Sequence, residues 1–279
     1  MARLLRRSCL LAFLAAAALP ARAPAGPVPE HQELTVDSKI LGETRRVNVY
    51  LPPGYDARSA KDCLVLYMPD GGMAEDFPHV AADVDAAIRA GEMRPAIVVG
   101  IENTERRRDM TGPTEVESDR KIAPRVGGSA RFRAFLRDEL MPVVRARFPG
   151  NGGTAIVGES LAGLFVLETF FEEPGMFDTY IALSPSLWWN GGALVQSAAE
   201  RLKARPTARQ TLYFATAGDD QQEDAANKIV AALRGAPAKG LTWRYEGWPR
   251  EKHSTIYVGA SPAIFRKLFP PLPSRGGAR

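Results

Sequence analysis

The chain has 279 residues, of which 45% are hydrophobic and 24% are charged, and it contains two cysteines and three histidines. This composition is typical of a folded globular protein and excludes disordered, collagen-like and disulfide-rich chains. So few cysteines and such widely spaced histidines also argue against a metal site, and no phosphate-binding or dinucleotide-binding motif is present. We therefore expect neither a metal nor another cofactor.

Residues 1–25 have the features of a secretory signal peptide. Early arginines precede an apolar stretch from about Cys9 to Leu19, and small residues offer a cleavage site after Ala25. The apolar stretch is shorter than the roughly 18 residues that span a bilayer, so an uncleaved membrane anchor is the weaker alternative. We expect a mature chain of residues 26–279 that forms one domain, in the periplasm or outside the cell.

The predicted signal segment also carries the positive charge of the chain. The formal net charge is +4 at pH 7, and this segment contains four arginines and no acidic residue. The mature chain is therefore close to neutral. This removes the electrostatic basis for binding nucleic acid or an anionic membrane surface.

The rest of the chain alternates strand and helix patterns. Strands are predicted at 33–37, 45–51, 63–68, 96–101, 154–157, 180–183, 212–216 and 241–245, and helices at about 77–90, 132–144, 161–171, 223–233 and 262–269. This order predicts an α/β fold with a mostly parallel central sheet, an antiparallel N-terminal pair and helices on both faces. Ligands of such sheets bind outside the carboxyl ends of the strands.

Ser160 is the predicted nucleophile of the chain. It lies in Gly158-Glu159-Ser160-Leu161-Ala162-Gly163, where a buried strand is followed at once by a helix. A nucleophilic serine at such an elbow has a strained backbone, and the positions two before and two after it must be small. Gly158 and Ala162 meet that requirement.

A second copy of the Gly-x-Ser-x-Ala pattern lies at Gly259-Ala260-Ser261-Pro262-Ala263. Here Ser261 is predicted to be a helix N-cap, with Pro262 at the first helical position. No histidine follows Ser261 that could serve as its base. We therefore interpret this serine as structural.

His253 is the predicted general base, because it is the histidine that follows Ser160 in the chain and it comes just after the last predicted strand. The alternative is an ordinary surface-loop histidine.

The acid that orients the imidazole is expected in the loop after strand 212–216. Asp220 is our first choice and Asp224 the second; Asp219 and Glu223 are further candidates, and a Ser–His pair without a close acid is also possible.

The backbone N–H of Leu161 is the first predicted oxyanion donor. We expect the second from the loop after strand 63–68, with the N–H of Gly72 favoured over that of Gly71; an ordinary Gly-Gly turn is the alternative. Trp188 and Trp189 are candidates for a substrate pocket, although core packing is an equal alternative.

Arg108 is a further candidate for substrate binding, within a run of three arginines at 106–108. Such a run could bind an acidic substrate. We favour the alternative, a solvated loop whose arginines form internal ion pairs.

Four blocks of the sequence resemble the putative-esterase (esterase D-like) family of α/β-hydrolases. They are Val47-Asn48-Val49-Tyr50-Leu51-Pro52-Pro53-Gly54-Tyr55, Leu66-Tyr67-Met68-Pro69-Asp70-Gly71, Gly158-Glu159-Ser160-Leu161-Ala162-Gly163-Leu164-Phe165 and Ser184-Pro185-Ser186-Leu187-Trp188-Trp189. The resemblance is greatest to siderophore esterases of the salmochelin and bacillibactin type. It implies that Ser160 is the nucleophile, His253 the base, and Leu161 with the Gly71-Gly72 loop the oxyanion hole.

The sequence therefore predicts an exported serine hydrolase that cleaves carboxylic esters through an acyl-enzyme. The expected partner is a small-molecule ester, such as a siderophore or an aryl ester. One alternative is an acyltransferase of the same fold, which passes the acyl group to an alcohol. The other is a binding protein that kept the fold without its chemistry.

Overall fold

The computed structural model describes residues 27–58, 60, 62–204, 209–236 and 239–273. The predicted signal segment, residues 1–25, lies outside these described residues. Within the described part of the chain, no helix is both long enough and apolar enough to cross a membrane.

One eight-stranded sheet organises the molecule. Its strands are β1 (His31–Ser38), β2 (Glu43–Tyr50), β3 (Leu64–Pro69), β4 (Ala96–Ile101), β5 (Thr154–Glu159), β6 (Thr179–Leu183), β7 (Gln210–Ala217) and β8 (Leu241–Trp248). Their order across the sheet is β1-β2-β4-β3-β5-β6-β7-β8. The pairs β1–β2 and β2–β4 are antiparallel and the other neighbours are parallel. The predicted sheet, with its antiparallel N-terminal pair, is confirmed.

Helices cover both faces of the sheet. They are α1 (Phe77–Arg89), α2 (Arg106–Asp109), α3 (Glu117–Arg120), α4 (Ser129–Phe135), α5 (Met141–Arg147), α6 (Leu161–Glu172), α7 (Trp189–Lys203), α8 (Glu223–Gly235) and α9 (Ile256–Leu268). A π-helical turn, Leu136–Leu140, joins α4 to α5. Pro142 lies at the start of α5, where its missing N–H is tolerated.

The central strands are apolar on both sides because they separate two cores. In β3, Val65 and Tyr67 pack into the core beneath α4 to α8, whereas Leu64, Leu66 and Met68 pack into the core beneath α1 and α9. All six residues of β3 are buried. Such strands are expected to be continuous apolar runs rather than alternating ones.

Several helices differ from the sequence prediction: the last helix starts earlier, and α7 and the short helices α2 and α3 were not predicted. The last helix begins at Ile256, so Pro262 lies inside it and Ser261 is a buried helical residue, not an N-cap. Burial of Ile256, Tyr257 and Ala260 in the core beneath α1 and α9 outweighs the local preference of Pro262 for a helix start. Helix α7 was not predicted, because its first turn is interrupted by left-handed backbone at 190–192.

Arg45, in β2, holds the segment after β4 against the sheet. Its guanidinium is fully buried and contacts Asp109 Oδ2 at 2.5 Å, and its Nη2 donates to the carbonyl of Glu102 at 2.8 Å. The charged group also lies 5.1 Å from the ring centre of Phe132. A buried charge needs such partners, because an unpaired one is strongly unfavourable.

We expect Asp109→Asn to lower the free energy of unfolding by about 3 kcal/mol, because it removes the buried carboxylate 2.5 Å from Arg45 and leaves that buried charge with the partly exposed Glu43, at 3.0 Å, as its remaining anion. Glu115→Gln is the matched control: its pair with Arg120 is exposed, at 90% and 52% of the two side chains, and its loss should cost under about 1 kcal/mol. Urea unfolding of both variants measures the difference. Equal losses would contradict this role of Arg45.

Candidate active site

Ser160 lies at a sharp turn between β5 and α6. Its backbone has φ 59° and ψ −118°, a left-handed conformation that a residue with a side chain seldom adopts. The N–H of Ser160 donates to Leu183 O at 3.0 Å, and its carbonyl accepts the N–H of Ser186 at 3.0 Å. The neighbouring strand β6 and the loop that follows it thus hold the turn from one side.

The turn closes because the residues on either side of Ser160 are small. A Cβ atom added to Gly158 would lie 2.7 Å from the backbone of Ala162 and 2.8 Å from its Cβ. One added to Gly163 would lie 2.8 Å from Leu183 O. The strand, the helix and the next strand therefore meet at distances that only glycine permits at these two positions.

A hydrogen-bond chain connects Ser160, His253 and Asp220. His253 Nε2 lies 3.1 Å from Ser160 Oγ, and His253 Nδ1 lies 2.8 Å from Asp220 Oδ1. The Asp220 side chain is 3% exposed, whereas that of His253 is 47% exposed. The structure thus brings together the three residues predicted as nucleophile, base and acid.

Two loops at the carboxyl ends of β7 and β8 set this geometry. A Cβ atom on Gly218 would lie 2.4 Å from Pro249 O, so the loops approach closely at that point. Asp219 Oδ1 accepts the backbone N–H of His253 at 2.7 Å, and Asp220 Oδ2 accepts the N–H of Ala217 at 2.8 Å.

The other two acidic candidates lie elsewhere. Glu223 and Asp224 occupy the first turn of α8 and are exposed. Negative side chains are favourable at that end of a helix, which accounts for their position. Asp220 is therefore the acid whose carboxylate meets the imidazole, while Asp219 holds the backbone of the histidine.

Glu159 is a site residue that the sequence analysis missed. Its Oε1 lies 3.2 Å from His253 Nε2 and has no hydrogen-bond partner among the described residues. Burial raises the pKa of Glu159 to about 8, with smaller contributions in the same direction from Asp76, Asp70 and Asp220 and an opposing one from the cation of Arg106. Its position next to the serine in the motif was the available signal.

The loop after β3 is held from both sides. Asp70 has φ 56°, and its carboxylate accepts two hydrogen bonds from Arg106, at 2.7 and 2.8 Å. The N–H of Gly71 donates to Ile101 O at 2.9 Å, and the N–H of Gly72 donates to Glu75 Oε2 at 2.7 Å. Both predicted donors of this loop therefore already have acceptors. The N–H of Leu161, at the start of α6, has none within its own helix.

The predicted substrate-binding residues have different environments. Trp188 follows β6 and is 44% exposed. Trp189 is buried, and its Nε1 donates to Gly112 O at 2.8 Å, so it packs in the core. Arg108 makes ion pairs with Glu43, Glu105 and Asp109 at 2.7–3.0 Å, with its side chain 15% exposed. The structure thus places Arg108 in the internal ion-pair network.

No group of three or more metal-ligating side chains is found among the described residues. Cys63 is a buried free thiol, and burial raises its pKa to about 12. A thiol that stays protonated is a poor nucleophile.

We expect Gly158→Ala to lower the free energy of unfolding by about 1–3 kcal/mol, because its methyl group would overlap the backbone of Ala162. Gly235→Ala is the control, since no atom lies within 4 Å of a Cβ atom added there. It should leave stability within about 1 kcal/mol of the original. Urea unfolding compares them, and a Gly158→Ala protein of unchanged stability would show that the turn is not tightly packed.

Comparisons with known proteins are consistent with this geometry. The family model described as "Putative esterase" matches residues 38–262. Iron(III) salmochelin esterase of Escherichia coli O6:H1 is 29% identical over 163 residues, which are 57% of this chain and 36% of that protein. Ferri-bacillibactin esterase BesA of Bacillus subtilis is 38% identical over 197 residues, 63% of this chain and 68% of that protein.

A solved structure, an IroE-like serine hydrolase from Shewanella oneidensis, superposes with a TM-score of 0.77 at 28% identity, over 86% of this chain and 80% of that chain. The sheet order and this superposition identify the α/β-hydrolase fold. The chain spans only about a third of the salmochelin esterase. The family model, however, covers most of the chain, and we conclude that the chain belongs to this esterase family.

Proposed function

We propose that the protein is a serine esterase that hydrolyses carboxylic esters through an acyl-enzyme. The observation that carries the proposal is the position of one imidazole: His253 Nε2 lies 3.1 Å from Ser160 Oγ while Nδ1 lies 2.8 Å from Asp220. A base in hydrogen-bond reach of a hydroxyl, itself oriented by a buried carboxylate, is the arrangement that activates serine.

In the first step, Ser160 Oγ attacks the ester carbonyl and its proton moves to His253 Nε2. Asp220 keeps Nδ1 protonated and stabilises the imidazolium that forms. His253 then gives the proton to the departing alkoxide, which leaves as the alcohol. In the second step, His253 takes a proton from water as that water attacks the acyl-enzyme, and it then gives the proton to Ser160 Oγ as the bond to the acyl group breaks and the acid leaves.

The developing oxyanion needs donors that are fixed before the reaction. The N–H of Leu161 is one, because it begins α6 directly after the nucleophile. The N–H of Gly72 now donates to Glu75 Oε2 at 2.7 Å. It can act as the second oxyanion donor only when this hydrogen bond breaks and the N–H donates to the substrate oxygen instead. Burial raises the pKa of Glu75, which makes its charged, strongly accepting form less favourable.

The proposed substrates are siderophore or aryl esters. The names of the relatives from Escherichia coli and Bacillus subtilis point to siderophore esters as one class. The half-exposed His253 leaves the site open to a bulky molecule. Trp188 and Met73, 44% and 40% exposed, lie in the loops after β6 and β3 and offer apolar surface for an aromatic acyl group.

We also propose that the protein is exported and acts in the periplasm or outside the cell. The support is the sequence pattern of residues 1–25, with its early arginines, short apolar stretch and small residues before Gly26. The formal neutrality of the remaining chain agrees with a small-molecule substrate rather than a polyanion.

We expect Ser160→Ala and His253→Ala each to lower kcat for ester hydrolysis by about 10⁴-fold or more, and Asp220→Asn by about 10⁴-fold. Ser261→Ala is the matched control, since Ser261 lies in the same short pattern but its Oγ is buried and has no hydrogen-bond partner in the described part of the chain. That variant should keep the original rate. Steady-state kinetics measure all four.

Full hydrolytic activity of Ser160→Ala would overturn the proposed mechanism. Addition of alcohols separates the two enzymatic alternatives, because an acyltransferase would pass the acyl group to the alcohol faster than to water.

We expect Trp188→Ala to raise KM about tenfold for catechol or aryl esters, since an exposed indole that contacts an aromatic ring contributes roughly 1–1.5 kcal/mol. KM for a simple acetyl ester should stay within about twofold, and Trp188→Phe should restore most of the preference. A panel of siderophore lactones, aryl esters and acetyl esters tests this. Equal changes across the panel would exclude Trp188 from substrate recognition.

A further inference from the structure

Glu159 has no part in the proposed mechanism, yet its carboxyl group lies beside the reacting nitrogen. Glu159 Oε1 is 3.2 Å from His253 Nε2, the atom that also faces Ser160 Oγ at 3.1 Å. Oε1 has no hydrogen-bond partner among the described residues. The Glu159 side chain is 16% exposed, so little water is available to solvate a charge there.

Six titratable or charged groups face Glu159; three of them are aspartates and one is an arginine. They are Asp70 in the loop after β3, Asp76 before α1, Arg106 in α2, Asp220 and His253 in the loops after β7 and β8, and Tyr257 in α9. Arg106 is the fixed cation of this set, and it is engaged with Asp70 through two hydrogen bonds.

Burial and this acidic surplus together disfavour the charged form of Glu159, and its pKa of about 8 follows from them. Near neutral pH the carboxyl group is mostly protonated and contributes little field at Nε2. Above its pKa of about 8 the group becomes a carboxylate, 3.2 Å from the nitrogen that gains a proton in the reaction. A negative charge at that distance in a poorly solvated site favours the imidazolium.

We propose that Glu159 is a positioning residue whose negative charge stabilises the imidazolium of His253, so that ester hydrolysis accelerates when Glu159 loses its proton. This inference rests on the proposed function, because it assumes that His253 takes the proton of Ser160. No proton passes to Glu159 during turnover: its carboxylate acts through its charge on the ring, and the proton still goes from Oγ to Nε2 and on to the leaving alkoxide.

The test is the pH profile of kcat/KM between pH 6 and 10 with an uncharged aryl acetate. The original protein should show a rise of about tenfold centred near pH 8, in addition to any rise that a histidine base gives at lower pH. Glu159→Gln should lack the rise near pH 8 and keep the lower rate throughout. A midpoint near pH 8 that persists in Glu159→Gln would overturn the inference.

Glu168→Gln is the matched control. Glu168 is another largely buried acid with a raised pKa, in α6, but its nearest cation is Arg133, with 3.7 Å between Glu168 Oε2 and Arg133 Nη2. Its loss should leave the rise near pH 8 in place. A rise abolished by both substitutions would show a general effect of buried charge and contradict the inference.

A second variant covers the case in which Glu159→Gln does not fold. Arg106→Gln removes the cation that opposes the raised pKa of Glu159, so the midpoint should move to higher pH. An unchanged midpoint would contradict the proposal. Failure of the proposed function and failure of this inference give different results. Hydrolysis by Ser160→Ala would contradict the proposed function. An inactive Ser160→Ala together with an unaltered pH profile of kcat/KM in Glu159→Gln would contradict only the role of Glu159.

The pH dependence of the free energy of unfolding tests the ionisation of Glu159 independently of activity. Because the folded-state pKa of Glu159 lies above the ordinary value of 4.5, the folded state binds the extra proton, and its stabilising effect is present below pH 4.5 and lost as pH rises to about 8. Glu159→Gln should remove this decline from urea unfolding curves. A decline that is unchanged in the variant would assign it to other groups.

Discussion

The backbone turn at Ser160 is the constraint on which the site depends. A residue with φ 59° at the end of β5 can exist only if the following helix starts at once and packs tightly against the strand. The small side chains at 158 and 162 allow that contact, and β6 supports the turn through a hydrogen bond from the Ser160 N–H. The hydroxyl therefore points above the sheet edge rather than into either core.

The sheet order supplies the partners of this hydroxyl. Because β5 through β8 are parallel neighbours, the loops after β7 and β8 emerge on the same edge as Ser160. The antiparallel β2 meets this edge with its first residues, and buried Arg45 there holds the segment that carries Arg106. Arg106 in turn holds Asp70 at the end of β3. Two ion pairs, Arg45–Asp109 and Arg106–Asp70, are thus connected through α2, and together they link β2 to the loop after β3.

Charge is distributed unevenly around the imidazole. Asp220 orients one ring nitrogen, Asp219 holds the backbone of the histidine, and Glu159 faces the other nitrogen. Asp220 is nearly buried yet has two hydrogen-bond donors, whereas Glu159 Oε1 has none among the residues that the structure describes. The two carboxyl groups thus differ in environment, in agreement with the proposed roles of Asp220 as the acid that orients the imidazole and of Glu159 as the group that titrates.

Much of this arrangement could be predicted from the sequence. The strands were predictable because buried parallel strands are continuous apolar runs, and the family resemblance placed Ser160 and His253 on the fold. Spacing behind β7 favoured Asp220 but left Asp219, Glu223 and Asp224 as alternatives, and the loop geometry places Asp220 on the ring and Asp219 on the backbone of His253. Helix α7 was not predicted, because Asn190 and the two glycines that follow it are typical of a turn. The start of α9 was wrong because burial of Ile256 outweighed Pro262.

The central claim is that Ser160 Oγ is a nucleophile made reactive by His253. A fluorophosphonate probe, which reacts with activated serines, tests it most directly when the labelled protein is digested and the modified peptide is identified by mass spectrometry. We expect one adduct, on Ser160, that is absent from the His253→Ala protein. An unlabelled protein, or an adduct on another serine such as Ser261, would contradict it.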